Sequence, residues 1–115
     1  MSAIMSVARF RIHPGRADEF RQLAKECVRI VREKDPGTTV YEWYLNADAT
    51  ECIAIDGYAS PDAVFAHMRN VGSTMRKVLQ IADASVNLLG DPPASLLEAL
   101  QFKSEAVYGR LDGLL

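Results

Sequence analysis

The sequence predicts an α+β fold of order β-α-β-β-α-β, and three stretches carry that expectation. Residues 4–12 alternate strictly, with Ile4, Ser6, Ala8, Phe10 and Ile12 on one side and Met5, Val7, Arg9 and Arg11 on the other. Such period-two patterning is that of a strand with one buried face. Residues 16–34 place Phe20, Leu23, Ala24, Cys27, Val28, Ile30 and Val31 at three- and four-residue spacing, the stripe of an amphipathic helix. Residues 40–58 read as two aromatic and β-branched runs around Asn46-Ala47-Asp48-Ala49, the signal of an antiparallel hairpin.

Each boundary has a local cause. His13-Pro14-Gly15 breaks the first strand with turn residues. Asp18 and Glu19 in the first turn of the first helix, and Arg32 and Lys34 in its last, complement the helix dipole. Asp35-Pro36-Gly37 stops that helix. After the hairpin, Ser60 is the expected N-cap of a second helix, with Pro61 at its first position. That helix is expected in two pieces, residues 63–68 and 74–80, separated by Asn70-Val71-Gly72-Ser73. Val86-Asn87-Leu88-Leu89 is the fourth strand, ended by Gly90-Asp91-Pro92-Pro93, and a short helix follows over residues 94–100. This is the split βαβ or ferredoxin-like arrangement, an antiparallel four-stranded sheet with helices on one face. The other face carries apolar groups, so a homodimer packed sheet to sheet is expected. Residues 1–91 form the domain; residues 92–115, the short helix and tail, are expected to pack on it or on the partner subunit.

Composition narrows the function classes. The chain has 115 residues, 49% of them hydrophobic, and a formal net charge of −2, which suits one globular domain and gives no reason to expect nucleic acid or a membrane as partner. No apolar run approaches the ~20 residues that span a bilayer. Met1 to Ser6 lacks a signal peptide's basic and apolar regions, so the expected location is cytoplasmic. Cys27 and Cys52 fall in a helix stripe and a strand, where thiols behave as small hydrophobes. No metal-ligand spacing, Ser/His/Asp order or phosphate-binding glycine loop is present, so hydrolase, kinase and metalloenzyme readings lack support.

Several short motifs share a resemblance. Pro14-Gly15-Arg16-Ala17-Asp18-Glu19-Phe20 resembles the opening of the first helix in antibiotic biosynthesis monooxygenase (ABM) domains. Asp35-Pro36-Gly37-Thr38 with Tyr41-Glu42-Trp43-Tyr44 is similar to that family's "PG…YELY" segment. Asp56-Gly57-Tyr58-Ala59-Ser60-Pro61-Asp62-Ala63, running on to Ala66-His67, is similar to its "ExWxsxxAxxxH" segment, with Asp for Glu and Tyr for Trp. The resemblance covers residues 6–89. It implies a dimeric α+β barrel with a cavity between sheet and helices, and oxidation of quinol or polyketide-like aromatics by O2 without metal or flavin. The superfamily's haem-degrading branch has an Asn, a Trp and a His where this chain has Ala8, Tyr58 and His67, so only the His is shared.

His67 and Asp56 are the candidate catalytic residues. A helix histidine can act as a base or hold a substrate phenol; the plain alternative is a packed histidine with a local partner. Asp56 stands within an apolar strand, and burial raises a carboxylate's pKa toward the range of a useful base; a salt bridge to a neighbouring strand is its alternative. Tyr41 and Trp43 share one face of their strand, and Glu42 and Tyr44 the other. One face should line the cavity and one the dimer seam, and parity leaves the choice open. Tyr41, Trp43, Tyr58 and the strand amide Asn87 are the candidate substrate contacts. The expected function is a cofactor-independent monooxygenase acting on a small aromatic or quinol-type compound. The alternative is a non-catalytic homodimer that binds a small ligand.

Overall fold

A computed structural model of the chain describes residues 4–101 and 106–114. The first three residues of the N-terminal stretch and Leu115 of the tail lie outside them. The elements are β1 (Ile4–Ile12), α1 (Ala17–Lys34), β2 (Thr38–Leu45), β3 (Glu51–Tyr58), α2 (Pro61–Ile81), β4 (Ala82–Leu89), α3 (Ala94–Leu100) and β5 (Val107–Tyr108). The order β-α-β-β-α-β expected from patterning is thus present, on a ferredoxin-like plan. The sheet has five strands in the order β2-β3-β1-β4-β5, where four were expected. The extra strand pairs parallel to β4, Leu88 with Val107 and Leu89 with Tyr108, so the sheet is mixed and not wholly antiparallel. Two residues of pairing give too weak a local pattern to be read from sequence.

β1 is the centre, paired antiparallel with β3 and with β4 along nearly its whole length. Its alternation is the one read from sequence: Ile4, Ser6, Ala8, Phe10 and Ile12 are buried, while Arg9 and Arg11 are exposed. The main core joins Phe10, Phe20, Cys52, Val78 and Ile81 between the sheet and α1 and α2. Phe10 stacks on Trp43 with ring centroids 5.3 Å apart.

α2 begins as expected, with the Ser60 side chain accepting a hydrogen bond from the Ala63 amide at 3.2 Å and Pro61 in the first turn. It does not break at Asn70-Val71-Gly72-Ser73; one helix runs from Pro61 to Ile81. The reason is the stripe Val64, His67, Val71, Thr74, Val78 and Ile81, all buried, which continues through the glycine at three- and four-residue spacing. A mid-helix glycine costs about 1 kcal/mol, less than the burial of Val71 and Val78 returns. β4 likewise starts earlier than expected, at Ala82 and not Val86, because β1 templates it: Ile12 pairs with Ala82 and Arg11 with Asp83.

The hairpin turn is held by Asn46, whose side-chain oxygen accepts from the amides of Thr50 (3.0 Å) and Glu51 (2.9 Å). β2 carries a bulge between Thr38 and Val40. Beyond β4, α3 seats Leu96 in a cluster with Ile4, Tyr58, Ala63 and Val64. Both cysteines are free and buried. Among the described residues, no helix is long and apolar enough to cross a membrane.

Candidate functional site

Between the inner face of the sheet and α2 lies a cavity of about 520 Å³. Its floor comes from alternate residues of the strands, including Ser6 and Ala8 of β1, Asp56 and Tyr58 of β3, and Val86 of β4. Tyr41 and Trp43 of β2 stand at its side, and His67, Met68 and Met75 of α2 form its roof. The parity left open by the sequence is therefore decided: Tyr41 and Trp43 line the cavity. The register confirms it, since Tyr41 pairs with Asp56 and Trp43 with Ala54. Glu42 and Tyr44 share the opposite face with Ile55 and Ile53.

Asn87 does not reach this space. It pairs with Val7 on β1, on the face turned from the helices, while its neighbours Val86 and Leu88 line the cavity. Its assignment as a substrate contact is corrected on that ground: a one-residue step along a strand changes the face.

The structure brings His67, Asp56, Tyr58 and Tyr41 together. His67 is buried, and its Nδ1 lies 2.7 Å from Oδ2 of Asp35. Its Nε2 lies 3.7 Å from Oδ2 of Asp56, beyond direct hydrogen-bond distance. Tyr58 donates its hydroxyl to the same Asp56 oxygen at 2.7 Å. The rings of Tyr41 and Tyr58 pack edge-on against the imidazole, with centroids at 5.0 and 5.3 Å. Among the described residues, Asp56 has no Arg or Lys partner; the positive side chains of β1, Arg9 and Arg11, lie on the other face.

Asp35, which in the sequence reads only as a helix stop, is a buried acid beside His67 that sequence reading does not single out. It caps the end of α1 through its backbone, yet its side chain is buried. Oδ2 accepts from the Thr38 hydroxyl at 3.0 Å as well as facing His67, and Oδ1 accepts from the Asn70 amide at 3.4 Å. One signal was available: an acid at a helix C-terminus opposes the dipole and needs another partner. Ser6 was missed too. It sits directly across from Asp56 in the β1–β3 register, and its buried hydroxyl favours the ionised carboxylate.

The electrostatics follow from burial. Desolvation holds the Asp56 carboxyl above the usual carboxylate range, against the opposing pull of the Tyr58 hydroxyl, of His67 and of Ser6. Burial, with the Asp56 charge adding to it, raises Tyr58 and Tyr41 far above the ordinary phenol value, so both remain neutral hydroxyls. Burial also pushes the Cys27 thiol up to about 11.

Among the described residues, three buried polar atoms of cavity-lining side chains make no well-formed hydrogen bond: Tyr41 Oη, which has the Cys27 thiol and the Trp43 indole for neighbours, Trp43 Nε1 and Asp56 Oδ1. Two are donors and the third is a carboxylate oxygen, the set that a ligand hydroxyl or carbonyl would satisfy. Asp35, as acceptor, engages Nδ1 of the imidazole, so Nε2 is the ring nitrogen that faces Asp56. Among the described residues, no three His, Cys, Asp or Glu side chains converge as metal ligands do. A larger hollow of about 650 Å³ opens between α1 and β2, but its charged groups, Arg21, Lys25, Arg32 and Glu42, are exposed, and it contains neither His67 nor Asp56.

Comparison with known proteins agrees with this architecture. No curated protein matches the sequence significantly. Among solved structures, MupZ from Pseudomonas fluorescens superposes with a TM-score of 0.78 at 14% identity, over 98% of this chain and 93% of that one. Rv0793 from Mycobacterium tuberculosis gives 0.69 at 21% identity, over 81% and 98%. A mutant of SnoaB from Streptomyces nogalater, described as a cofactor-independent oxygenase, gives 0.67 at 17% identity, over 80% and 95%. These likenesses establish the fold. The family model for antibiotic biosynthesis monooxygenase matches residues 3–74, most of the chain, and the protein belongs to that family.

Proposed function

We propose that the protein is a cofactor-independent monooxygenase that oxidises a small aromatic hydroxyl or quinol-type compound with O2. The observation that carries this reading is the buried Asp35–His67 pair, opening beside the unpartnered oxygen of Asp56 onto a mostly apolar cavity. The family and the description of SnoaB as a cofactor-independent oxygenase support it.

His67 and Asp56 take the substrate's hydroxyl proton, and Tyr41 and Trp43 donate to the oxygen that becomes negative. The resulting electron-rich anion is itself the reductant of O2. One oxygen atom enters the carbon framework as a carbonyl and the other leaves as water, so a ring C–H flanked by the phenol system becomes a quinone carbonyl. The protein supplies positioning, a dry apolar wall and a proton acceptor. Tyr58 holds Asp56 in place and contacts the substrate edge.

The same reading includes a homodimer formed through the outer sheet face, where Tyr44 and Val40 are exposed and Ile53 and Ile55 only half-buried. The protein is expected to work in the cytoplasm.

The test is O2 uptake by the metal-free protein with a panel of anthrones and quinols. Protein-dependent uptake is expected, falling about 10²-fold or more in His67→Ala and Asp56→Asn. Uptake that is absent, or unchanged in both variants, rejects the enzyme reading for these substrates. A non-catalytic ligand-binding protein would then be the reading that the three unpartnered polar atoms favour.

A further inference from the structure

The mouth of the cavity differs from its inner end. The lining follows α2 from Val64 to Leu79, a rise of about 22 Å along a helix. At the inner end stand His67, Asp56, Tyr41 and Tyr58, with their hydrogen-bonding atoms. Toward the Leu79 end the α2 wall is apolar, with Leu79 exposed and Met75 half-buried, while Met68 beside His67 and Leu100 beside Tyr58 and Val64 extend the apolar lining at the other end. One charged side chain interrupts it. Arg76 lies one turn beyond Gly72, and a guanidinium nitrogen sits 3.8 Å from where a Gly72 side chain would begin, so the glycine leaves the space that the arginine covers.

Arg76 is exposed, and among the described residues it has no ion-pair or hydrogen-bond partner. Its neighbours at three and four residues are Gly72, Ser73, Leu79 and Gln80, none of them acidic. Arg16 at the N-cap of α1 and Arg21 and Arg29 within it each hold a carboxylate, but none of these lines the cavity. A guanidinium is suited to a planar, bidentate carboxylate partner.

We propose that Arg76 is a specificity residue: the ligand is an elongated, mostly apolar molecule with a hydroxyl or carbonyl at its inner end and a carboxylate at its outer end, held by Arg76 at the mouth. This rests on the proposed reading for the cavity's role, but not on any reaction occurring there. The single tryptophan, Trp43, lines both this cavity and the hollow between α1 and β2, so its fluorescence quenching reports binding at either, and the Arg76 variants assign the signal to this cavity.

The test titrates the full chain with anthraquinone-2-carboxylate and with the uncharged anthraquinone-2-carboxamide. The carboxylate is expected to bind about fivefold to tenfold more tightly at low ionic strength, with the gap closing as salt is added. Arg76→Gln should level the two affinities and Arg76→Lys keep part of the difference, without change in thermal stability, because the side chain is exposed. Equal binding of both compounds by the parent protein overturns the inference. So does a preference kept in Arg76→Gln, or quenching by neither compound. A carboxylate preference here, with no O2 uptake from the anthrone and quinol panel, rejects the monooxygenase reading for those substrates and leaves this one standing.

Discussion

At the scale of residues, the site is a histidine between two carboxylates with unequal surroundings. Asp35 is nearly inaccessible but accepts from Thr38 and Asn70 and faces His67 Nδ1. Asp56 is slightly more open, with one oxygen satisfied by Tyr58 and the other unpartnered. In the proposed reading, Asp35 acts through His67 as a positioning residue. Asp35→Asn is therefore expected to lower the turnover rate by about 10²-fold with little change in KM. It should also remove the downfield, slowly exchanging proton resonance expected of an Nδ1–H held at 2.7 Å, while a loss of thermal stability with turnover unchanged would mark a purely structural role. Asp56 makes a pH-dependent prediction. Burial raises its pKa, so folding favours the protonated acid. The resulting penalty is absent below the ordinary carboxylate value, about 4, and grows to its full size as pH rises through the raised folded value. Asp56→Asn should therefore be about 1 kcal/mol more stable than the parent at pH 7 to 8, in urea titrations, and the difference should vanish near pH 3.5. A gain independent of pH would mean that the carboxylate is not desolvated.

At the scale of elements, two close approaches bring Asp35 and His67 together. α1 ends at Asp35, and β2 starts three residues later with Gly37 between them, against the first turns of α2. A side-chain carbon on Gly37 would lie 2.7 Å from the Ala63 side chain, so only glycine lets the chain pass there. Gly37 also accepts the backbone hydrogen bond from Ala59 at 2.9 Å, tying the end of β3 to the same point. Gly37→Ala is expected to destabilise the fold by about 1–3 kcal/mol. It should also weaken the Asp35–His67 contact, by pushing α2 away from the end of α1. Circular dichroism melts and the same proton resonance would read the two effects. The continuity of α2 belongs to this scale as well: a helix broken at Gly72 could not have carried His67 and Arg76 on opposite ends of one cavity wall.

At the scale of the whole molecule, the sheet divides the protein into a cavity side and an outer side. The inner face holds the carboxylates, the histidine and the ring cluster. The outer face presents Tyr44, Val40, Ile53, Ile55 and Met5, an apolar surface with Arg9 and Arg11 at one end. The proposed dimer predicts a solution mass of twice the 12.7 kDa chain at micromolar concentration. Tyr44→Glu, at an exposed position away from the cavity, should shift sedimentation toward the single-chain mass. A single-chain mass for the parent protein would contradict the dimer.

Element type and order were legible from the sequence because they depend on local periodicity and on turn chemistry that neighbouring residues state directly. The β1 alternation, the α1 stripe, the Asn46 turn and the Ser60 cap are all of this kind. The sequence singles out Asp56 and His67 as polar residues in apolar settings, and the structure places them 3.7 Å apart. Tertiary structure decided what local patterns cannot. Continuous burial of Val71, Thr74 and Val78 overrode the glycine in α2. Strand register sent Asn87 outward and Tyr41 and Trp43 inward. Packing of the α1 end against α2 turned Asp35, in sequence only a helix stop, into the partner of His67, because a contact between residues 32 positions apart leaves no periodic trace in the chain.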